Sequence, residues 1–413
     1  MMERYSEYKD SGVKWLGEIP SHWEVVRGLG VFSENKSKNT QLENSTVLSL
    51  SYGKIIVKKD IDSGLVPEEY SSYQIVRPGC IIVRSTDLQN DKTSLRIGYV
   101  CNEGIITSAY LGLQVKGNNN DKYLYYFLHD WDITKEIYRH GNGLRQSLSW
   151  NDLRDISVLL PPLSEQDAIV RYLDSATSEI DKAIAMQQKM IDLLNERKQI
   201  IIQNAVTKGL DENVEMKESG IFCFGKIPKH WLIKGWNHIF YNLDKLRKPI
   251  SAEQRSRRNP QYDYYGASGV IDKIDYYNVD DKILLIGEDG ANLKMRNLPL
   301  VYKANGKIWV NNHAHILKPI EDNYDYMAYL METFDYNPYI TGSAQPKLSQ
   351  EQLGMVRLCV PPIEEQKKIV IYLEKRLKGF DSAITNCQRQ ITLLQERKQI
   401  IINEVVTGKV RVS

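Results

Sequence analysis

Apolar residues recur along two stretches of this chain at a spacing of four, then three. In the first they fall at Ile169, Leu173, Ala176, Ile180, Ala183, Met190, Leu194 and Ile201, widened by Val170, Ile184, Ile191 and Ala205. In the second they fall at Ile369, Leu373, Phe380, Ala383, Cys387, Leu394 and Ile401, flanked by Val370, Leu377, Ile384, Ile391 and Val405. Carried over about five heptads, this spacing predicts two long helices, each with one apolar stripe. Pro-Pro at 161–162 and at 361–362 forbids a helix before it and launches one after it, with Ser164 the expected N-cap of the first. Gly209 and Gly408 are placed to close the two helices. About 42 residues at ~1.5 Å each make roughly 60 Å of helix. Neither stripe can stay in water, and the obvious cover for one is the other, packed antiparallel within the chain. A seam alone fits a partner in a second chain equally well.

The two stretches are copies. Residues 160–210 and 360–410 align without a gap and share 24 of 51 positions, including ERKQIII at Glu196–Ile202 and Glu396–Ile402. A shorter echo links SGVKWLGEIPSHW at Ser11–Trp23 to SGIFCFGKIPKHW at Ser219–Trp231, with 7 of 13 identical. The intervening residues 24–147 and 232–347 hardly match in wording. Both nonetheless hold short β-type runs, such as CIIVR at 80–84 and KILLIG at 282–287, between Gly, Asn and Asp turns. Each ends in a helical stretch, KYLYYFLHDW in one and YDYMAYLMETF in the other. The chain therefore reads as a module written twice, its frame repeated and its filling not. The expected division is a mixed α/β (α+β) domain at 1–160, a long helix at 161–209, a second domain at 210–360 and a second helix at 361–410.

Composition narrows this without naming a partner. At 413 residues the chain has room for two or three cores. Its apolar runs are too short for a bilayer-spanning helix and its charged start lacks a signal peptide's apolar stretch, which predicts a cytoplasmic protein. Five scattered cysteines with no CxxC pair suit free thiols rather than disulfides or a zinc site. The net charge of +2 is uninformative, so nucleic-acid binding has to rest on local clusters. One such cluster is KLRKPISAEQRSRR, six cations against one acid between Lys245 and Arg258. Others are RSTDLQNDKTSLR at Arg84–Arg96, GIITSAYLGL at Gly104–Leu113, GEDGANL at Gly287–Leu293 and WVNNHAHIL at Trp309–Leu317. They are rich in the hydroxyls, amides and guanidinium groups that read base edges and hold phosphates. Enzyme chemistry finds no footing. GEDGAN lacks the spacing of a phosphate-binding glycine loop, His313 and His315 lack a third metal ligand in a recognisable pattern, and Asn337-Pro338-Tyr339 lacks the second proline of the adenine-methyltransferase motif it superficially matches.

With its PPLSEQ and PPIEEQ helix starts, GEIPSHW and GKIPKHW, RSTDLQNDK, GIITSAYLGL, GEDGANL, YYGASGVID and WVNNHAHILKP, the whole chain resembles the specificity (S) subunit of type I restriction-modification systems. The resemblance implies two target-recognition domains, each reading one half of a split, asymmetric DNA sequence. It implies two methylation subunits docked on the long helices and carrying S-adenosylmethionine. It further implies a restriction subunit that uses ATP and Mg. This chain would hold no catalytic centre, cofactor or metal and would touch no membrane. The expected DNA contacts in the first domain are Arg84, Ser85, Thr86, Gln89, Lys92, Ser94, Arg96, Thr107, Ser108 and Tyr110, with Arg145 and Gln146. In the second they are Tyr265, Ser268, Glu288, Asp289, Asn292, Asn311, Asn312, His313 and His315, with Lys294, Arg296 and Lys347 on phosphates. For subunit docking the candidates are Glu196, Arg197, Lys198 and Gln199 and their copies Glu396, Arg397, Lys398 and Gln399, although the repetition fits intrachain packing as well. The reading from a different class is a coiled-coil scaffold whose domains bind proteins.

Overall fold

The computed structural model of the chain describes residues 3–58, 70–91, 93–141, 146–256 and 259–412. Two compact units emerge, Met1–Gln188 with Arg389–Ser413 and Lys189–Gln388. The helices that matter below are α1 (Asp121–Ile133), α2 (Leu163–Lys208), α3 (Tyr324–Thr333) and α4 (Ile363–Val406). The unit boundaries thus fall inside α2 and α4. Each helix half belongs to the core it buries.

In the first unit the start of α2 packs on the end of α4. Ile169, Val170 and Leu173 share one core with Ile402, Val405 and Val406. In the second unit the roles reverse, Ala205 and Val206 lying in one core with Ile369, Val370, Leu373 and Leu377. The pairing is antiparallel in both and closes the expected intrachain seam. Repeated ion pairs cross it, Lys398 Nζ to Asp181 at 2.7 Å and Lys198 Nζ to Asp381 at 2.6 Å. Lys198 and Lys398 therefore serve the seam, whereas Glu196, Arg197 and Gln199 and their copies face outward. The register corrects one seam position. Ile191 is buried and Met190 is 49 % exposed, because the four-three rhythm passes through 184, 187, 191 and 194. Ser164 is likewise not the N-cap, since the carbonyl of Pro162 already accepts from Glu165 N and Gln166 N and leaves Ser164 in the first turn. Gly209 and Gly408 do close the helices, at φ of 78° and 71°.

The first unit carries an antiparallel sheet in the order β1 (Phe32–Glu34), β4 (Leu111–Val115), β2 (Ile81–Val83), β3 (Ile97–Tyr99). The second repeats this order with β5 (Phe240–Asn242), β10 (Ala314–Pro319), β8 (Val279–Gly287) and β9 (Val301–Val310), then adds β6 (Tyr262–Gly266) and β7 (Gly269–Ile274) at one edge. Two fillings with unlike sequences thus share one sheet order. Among the described residues no helix is long and apolar enough to cross a membrane.

The residues that do repeat build a clamp where each long helix begins. Glu165 accepts from Trp23 Nε1 at 3.0 Å and from Tyr5 Oη at 2.9 Å, and lies 2.6 Å from His22 Nε2. In the second unit Glu365 takes Trp231 Nε1 at 3.1 Å and His230 Nε2 at 2.7 Å. One residue on, Gln166 accepts from Asn120 N and donates to Pro161 O, as Gln366 does with Asn323 N and Pro361 O. Asn120 and Asn323 cap α1 and α3, whose Tyr123 and Tyr326 hydroxyls reach the backbone carbonyls of Val406 and Val206 at the far ends of the long helices. One constellation therefore ties domain, helix start and helix end together in each unit.

Burial alone would raise the Glu165 carboxyl, but bonds from Trp23, His22 and Tyr5 outweigh it and hold the group below the ordinary carboxylate value. A carboxyl depressed in the folded state supports the fold above its unfolded value of about 4.3 and loses that support as pH falls through the folded value. Glu165→Gln is expected to cost about 1–3 kcal/mol at pH 7 and less at pH 3. Urea unfolding at both pH values checks this, and an equal loss at both contradicts it.

Candidate nucleic-acid interface

In the first unit, three of the polar stretches singled out from the sequence converge on the loop after β2. Leu148 N donates to Ser85 O at 2.8 Å, Leu88 N to Gln146 O at 3.1 Å, and Ser85 Oγ to Ala109 O at 3.4 Å. Arg96 lies at the centre of this loop and is fully buried. Its guanidinium donates to the carbonyls of Arg84 (3.2 Å), Thr86 (2.8 Å), Asp87 (3.0 Å) and Asp91 (2.5 Å) and to Tyr138 Oη (3.2 Å). A polar loop leaves carbonyls that must be satisfied, and a five-donor side chain does it from within. Arg96 is therefore a scaffold for the loop and not a reader of bases. Gln146 is a second correction, since its amide donates to Tyr138 O at 2.7 Å and His140 O at 2.9 Å. Ser85, 5 % exposed, is a third.

What the loop presents outward is Gln89, with Arg84, Thr86, Ser94 and Tyr110 half-buried beside it. Arg84 lies 3.3 Å from Asp91. The Asp91 carboxyl is held far below its ordinary value, first by the backbone N–H of Ser94 and then by the Ser94 side chain and, against the effect of burial, the backbone N–H of Thr93. Ser108 Oγ donates to Ser72 O at 2.5 Å and Thr107 Oγ1 accepts from Ala109 N, which fixes the 107–110 turn. Gln74, which no sequence pattern singles out, holds that turn by donating to Thr107 O at 3.2 Å and Tyr110 O at 2.7 Å. Lys92 and Arg145 lie outside the described residues.

The second unit builds its surface on the ends of β6, β8 and β10. The β6–β7 turn carries Ser268 at its exposed tip and packs so closely on the end of β8 that a Cβ on Gly287 would lie 2.7 Å from Ala267 O. This explains the glycine. Asn311 is buried and turns its Oδ1 to His313 N at 2.8 Å. His313 Nδ1 lies 2.7 Å from Asp289 Oδ2, both groups partly exposed. Asn312 is exposed, and its carbonyl accepts from Arg247.

Beneath these lies an ionic network. Glu288 takes Arg247 and, at 3.0 Å, Lys347. Arg247 also lies 3.5 Å from Asp244, which is 2.5 Å from the Nδ1 of fully buried His315. The other His315 nitrogen meets Leu348 O at 2.7 Å. Burial would raise the carboxyls of Glu288 and Asp244, but bonds from Arg247 and Lys347 to the one and from His315 to the other bring both below their ordinary values. His315, Glu288 and Asn311 are consequently supports, where the sequence had placed them among base contacts. Arg296 joins them because its guanidinium donates to Glu332 O and Phe334 O, and Asn292 because its amide bonds Leu298 O and Pro299 O. Lys294 and Ser268 remain exposed, and Tyr265 half-buried. Of the basic stretch from Lys245, Arg247 turns inward and Arg255 pairs with Asp272 at 2.7 Å, while Arg257 and Arg258 lie outside the described residues. Among the described residues no group of three His, Cys, Asp or Glu is arranged to hold a metal.

Comparison with known proteins bears on both surfaces. A family model for the type I restriction modification DNA specificity domain matches residues 20–189 and 240–395. Two relatives from Methanocaldococcus jannaschii, a putative type I restriction enzyme MjaX specificity subunit and the type I restriction enzyme MjaVIII specificity subunit, are each 24 % identical over 98 % of this chain and 98 % and 97 % of their own. The fold is similar, at a TM-score of 0.66 and 14 % identity, to a chain solved for the "Structural basis underlying complex assembly and conformational transition of the type I R-M system", covering 94 % of this chain and 98 % of that one.

Arg96→Ala is expected to destabilise the first unit by about 2–4 kcal/mol by leaving four loop carbonyls without their donor. Denaturant unfolding checks this. A fully stable variant that loses preference at one base would return Arg96 to the surface role.

Proposed function

This chain belongs to the type I restriction modification DNA specificity family, and we propose that each of its two units reads one part of a split DNA target through the exposed and half-buried residues just described. In the first unit the readers are Arg84, Thr86, Gln89, Ser94, Thr107, Ser108 and Tyr110. In the second they are Tyr265, Ser268, Asn312 and His313, the last held by Asp289, with Lys294 and Lys347 near phosphates. Arg96, Gln146, Glu288, Asn311 and His315 hold those groups in place. The observation that carries this reading is that the family model matches both halves separately, while the stretches that hardly match between the halves, 24–147 and 232–347, are the ones that carry these loops. Unlike surfaces on a like frame would read unlike half-sites.

Methylation subunits would dock on the long helices, where Leu193, Glu196, Arg197, Gln199 and Ile200 are exposed in the second unit and Leu393, Glu396, Arg397, Gln399 and Ile400 in the first. Exposed apolar residues seven apart, each repeated in the other copy, are what a partner helix would cover. S-adenosylmethionine would be bound by those subunits, and ATP and Mg by a restriction subunit, so that this chain contributes recognition and positioning without a reaction of its own. A net charge of +2 suits a chain that draws most of its phosphate contacts from partners.

Purified with its methylation subunits and offered random-sequence duplexes, the chain is expected to select two short motifs separated by a fixed number of unspecified base pairs. Retention without sequence preference would overturn the reading. Because α2 and α4 each run through both units, their length would set that separation. Removing one heptad, about 10.5 Å of helix, from matched positions of both is expected to shorten the spacer by at most about three base pairs at ~3.4 Å each. An unchanged spacer contradicts it.

A further inference from the structure

Resting on the reading that this surface meets DNA, we infer that His313 reads a base presenting an exocyclic amino group in the major groove, adenine or cytosine, and that Asp289 sets this preference by fixing the tautomer of the ring. The contact between Asp289 Oδ2 and His313 Nδ1 is 2.7 Å. A carboxylate oxygen only accepts, so the ring hydrogen sits on Nδ1. The neutral imidazole then carries a lone pair on Nε2.

That lone pair is not taken up within the unit. The His313 side chain is 50 % exposed, and Nε2 has no partner among the described residues. The contrast with His315, two residues along, is informative. There both nitrogens meet acceptors inside the protein, so its ring is used up in support.

The pair is held before any ligand arrives. His313 N donates to Asn311 Oδ1 and Glu288 N donates to His313 O, both at 2.8 Å. Leu348 N donates to Glu288 O at 2.7 Å, and Asp289 bridges Lys347 in a short antiparallel pairing. Two loops are thus locked side by side, and the acceptor needs little ordering on binding.

In the major groove the donors are the N6 amine of adenine and the N4 amine of cytosine, whereas guanine O6 and N7 and thymine O4 are acceptors and would face the lone pair with like polarity. One position of the target would accordingly prefer A or C over G or T on the contacted strand. Asp289 is a positioning residue here, since it acts through the ring.

The test compares wild type, His313→Ala and Asp289→Asn, each as the full chain assembled with its methylation subunits, on a duplex library randomised across the target. Wild type is expected to favour A or C at one position by about tenfold, the worth of one good hydrogen bond. His313→Ala is expected to erase that preference at that position alone. In Asp289→Asn the amide can donate to Nδ1 and shift the ring hydrogen to Nε2, as a wrong-tautomer variant does in a catalytic triad, so the preference is expected to vanish or move toward G or T. Thermal unfolding of all three controls for folding. The inference is overturned if both variants leave the preference at every position unchanged, or change only the overall affinity, while wild type stays selective. A wild-type complex with no selectivity anywhere would instead remove the underlying reading of the surface, and the inference with it.

Discussion

An α-helix of 46 residues with one apolar face cannot stand in water, and the rest of this molecule is arranged to cover two such faces. In each unit the beginning of one long helix lies on the end of the other. Glu165 or Glu365 then locks the helix start to the domain through a tryptophan and a histidine. The stretches that repeat are the ones these contacts need. Between them only the helices that carry Asn120 and Tyr123, or Asn323 and Tyr326, share in those polar contacts, which leaves the loops at the sheet ends open to change while the frame stays constant.

The loops are not soft for being variable. Each is built round an inward-turned arginine, fully buried Arg96 in the first unit and partly buried Arg247 in the second, but the two work differently. Arg96 gathers backbone carbonyls, whereas Arg247 links Asp244 of its own segment to Glu288 and to the Asn312 carbonyl, three segments in all. In both cases a rigid guanidinium fork converts a polar loop into a fixed platform. The groups left exposed on that platform are then few and oriented, which is what direct reading of base edges demands.

This division of labour explains what the sequence disclosed. Helix period, Pro-Pro starts and glycine ends are local signals, so α2 and α4 were legible, and α1 and α3 with them. The seam register slipped at Met190 because a spacing list cannot tell 190 from 191 without the partner helix in place. Gln166, Gln366, Asn120 and Asn323 bond across segments dozens of residues apart and carry no local signature. The shared sheet order of the two fillings was hidden for the same reason, since strand order lives in pairings and not in residue types. At the surface, residue chemistry singled out the right loops but not the direction of each side chain. Arg96 and Gln89 look alike as candidates in the sequence, yet one faces the interior carbonyls and the other solvent. Asp244 and Gln74, whose work is wholly internal, had no reason to be noticed.

The central claim, that a constant frame presents two independent readers, is tested most directly by exchanging one filling. Residues 24–147 would be replaced by the corresponding stretch of a relative, and the methylated sites mapped across the genome of cells expressing the hybrid with its methylation subunit. One half of the target should change to the relative's motif while the other half and the spacing persist. Sites altered in both halves, or in neither, would contradict the account.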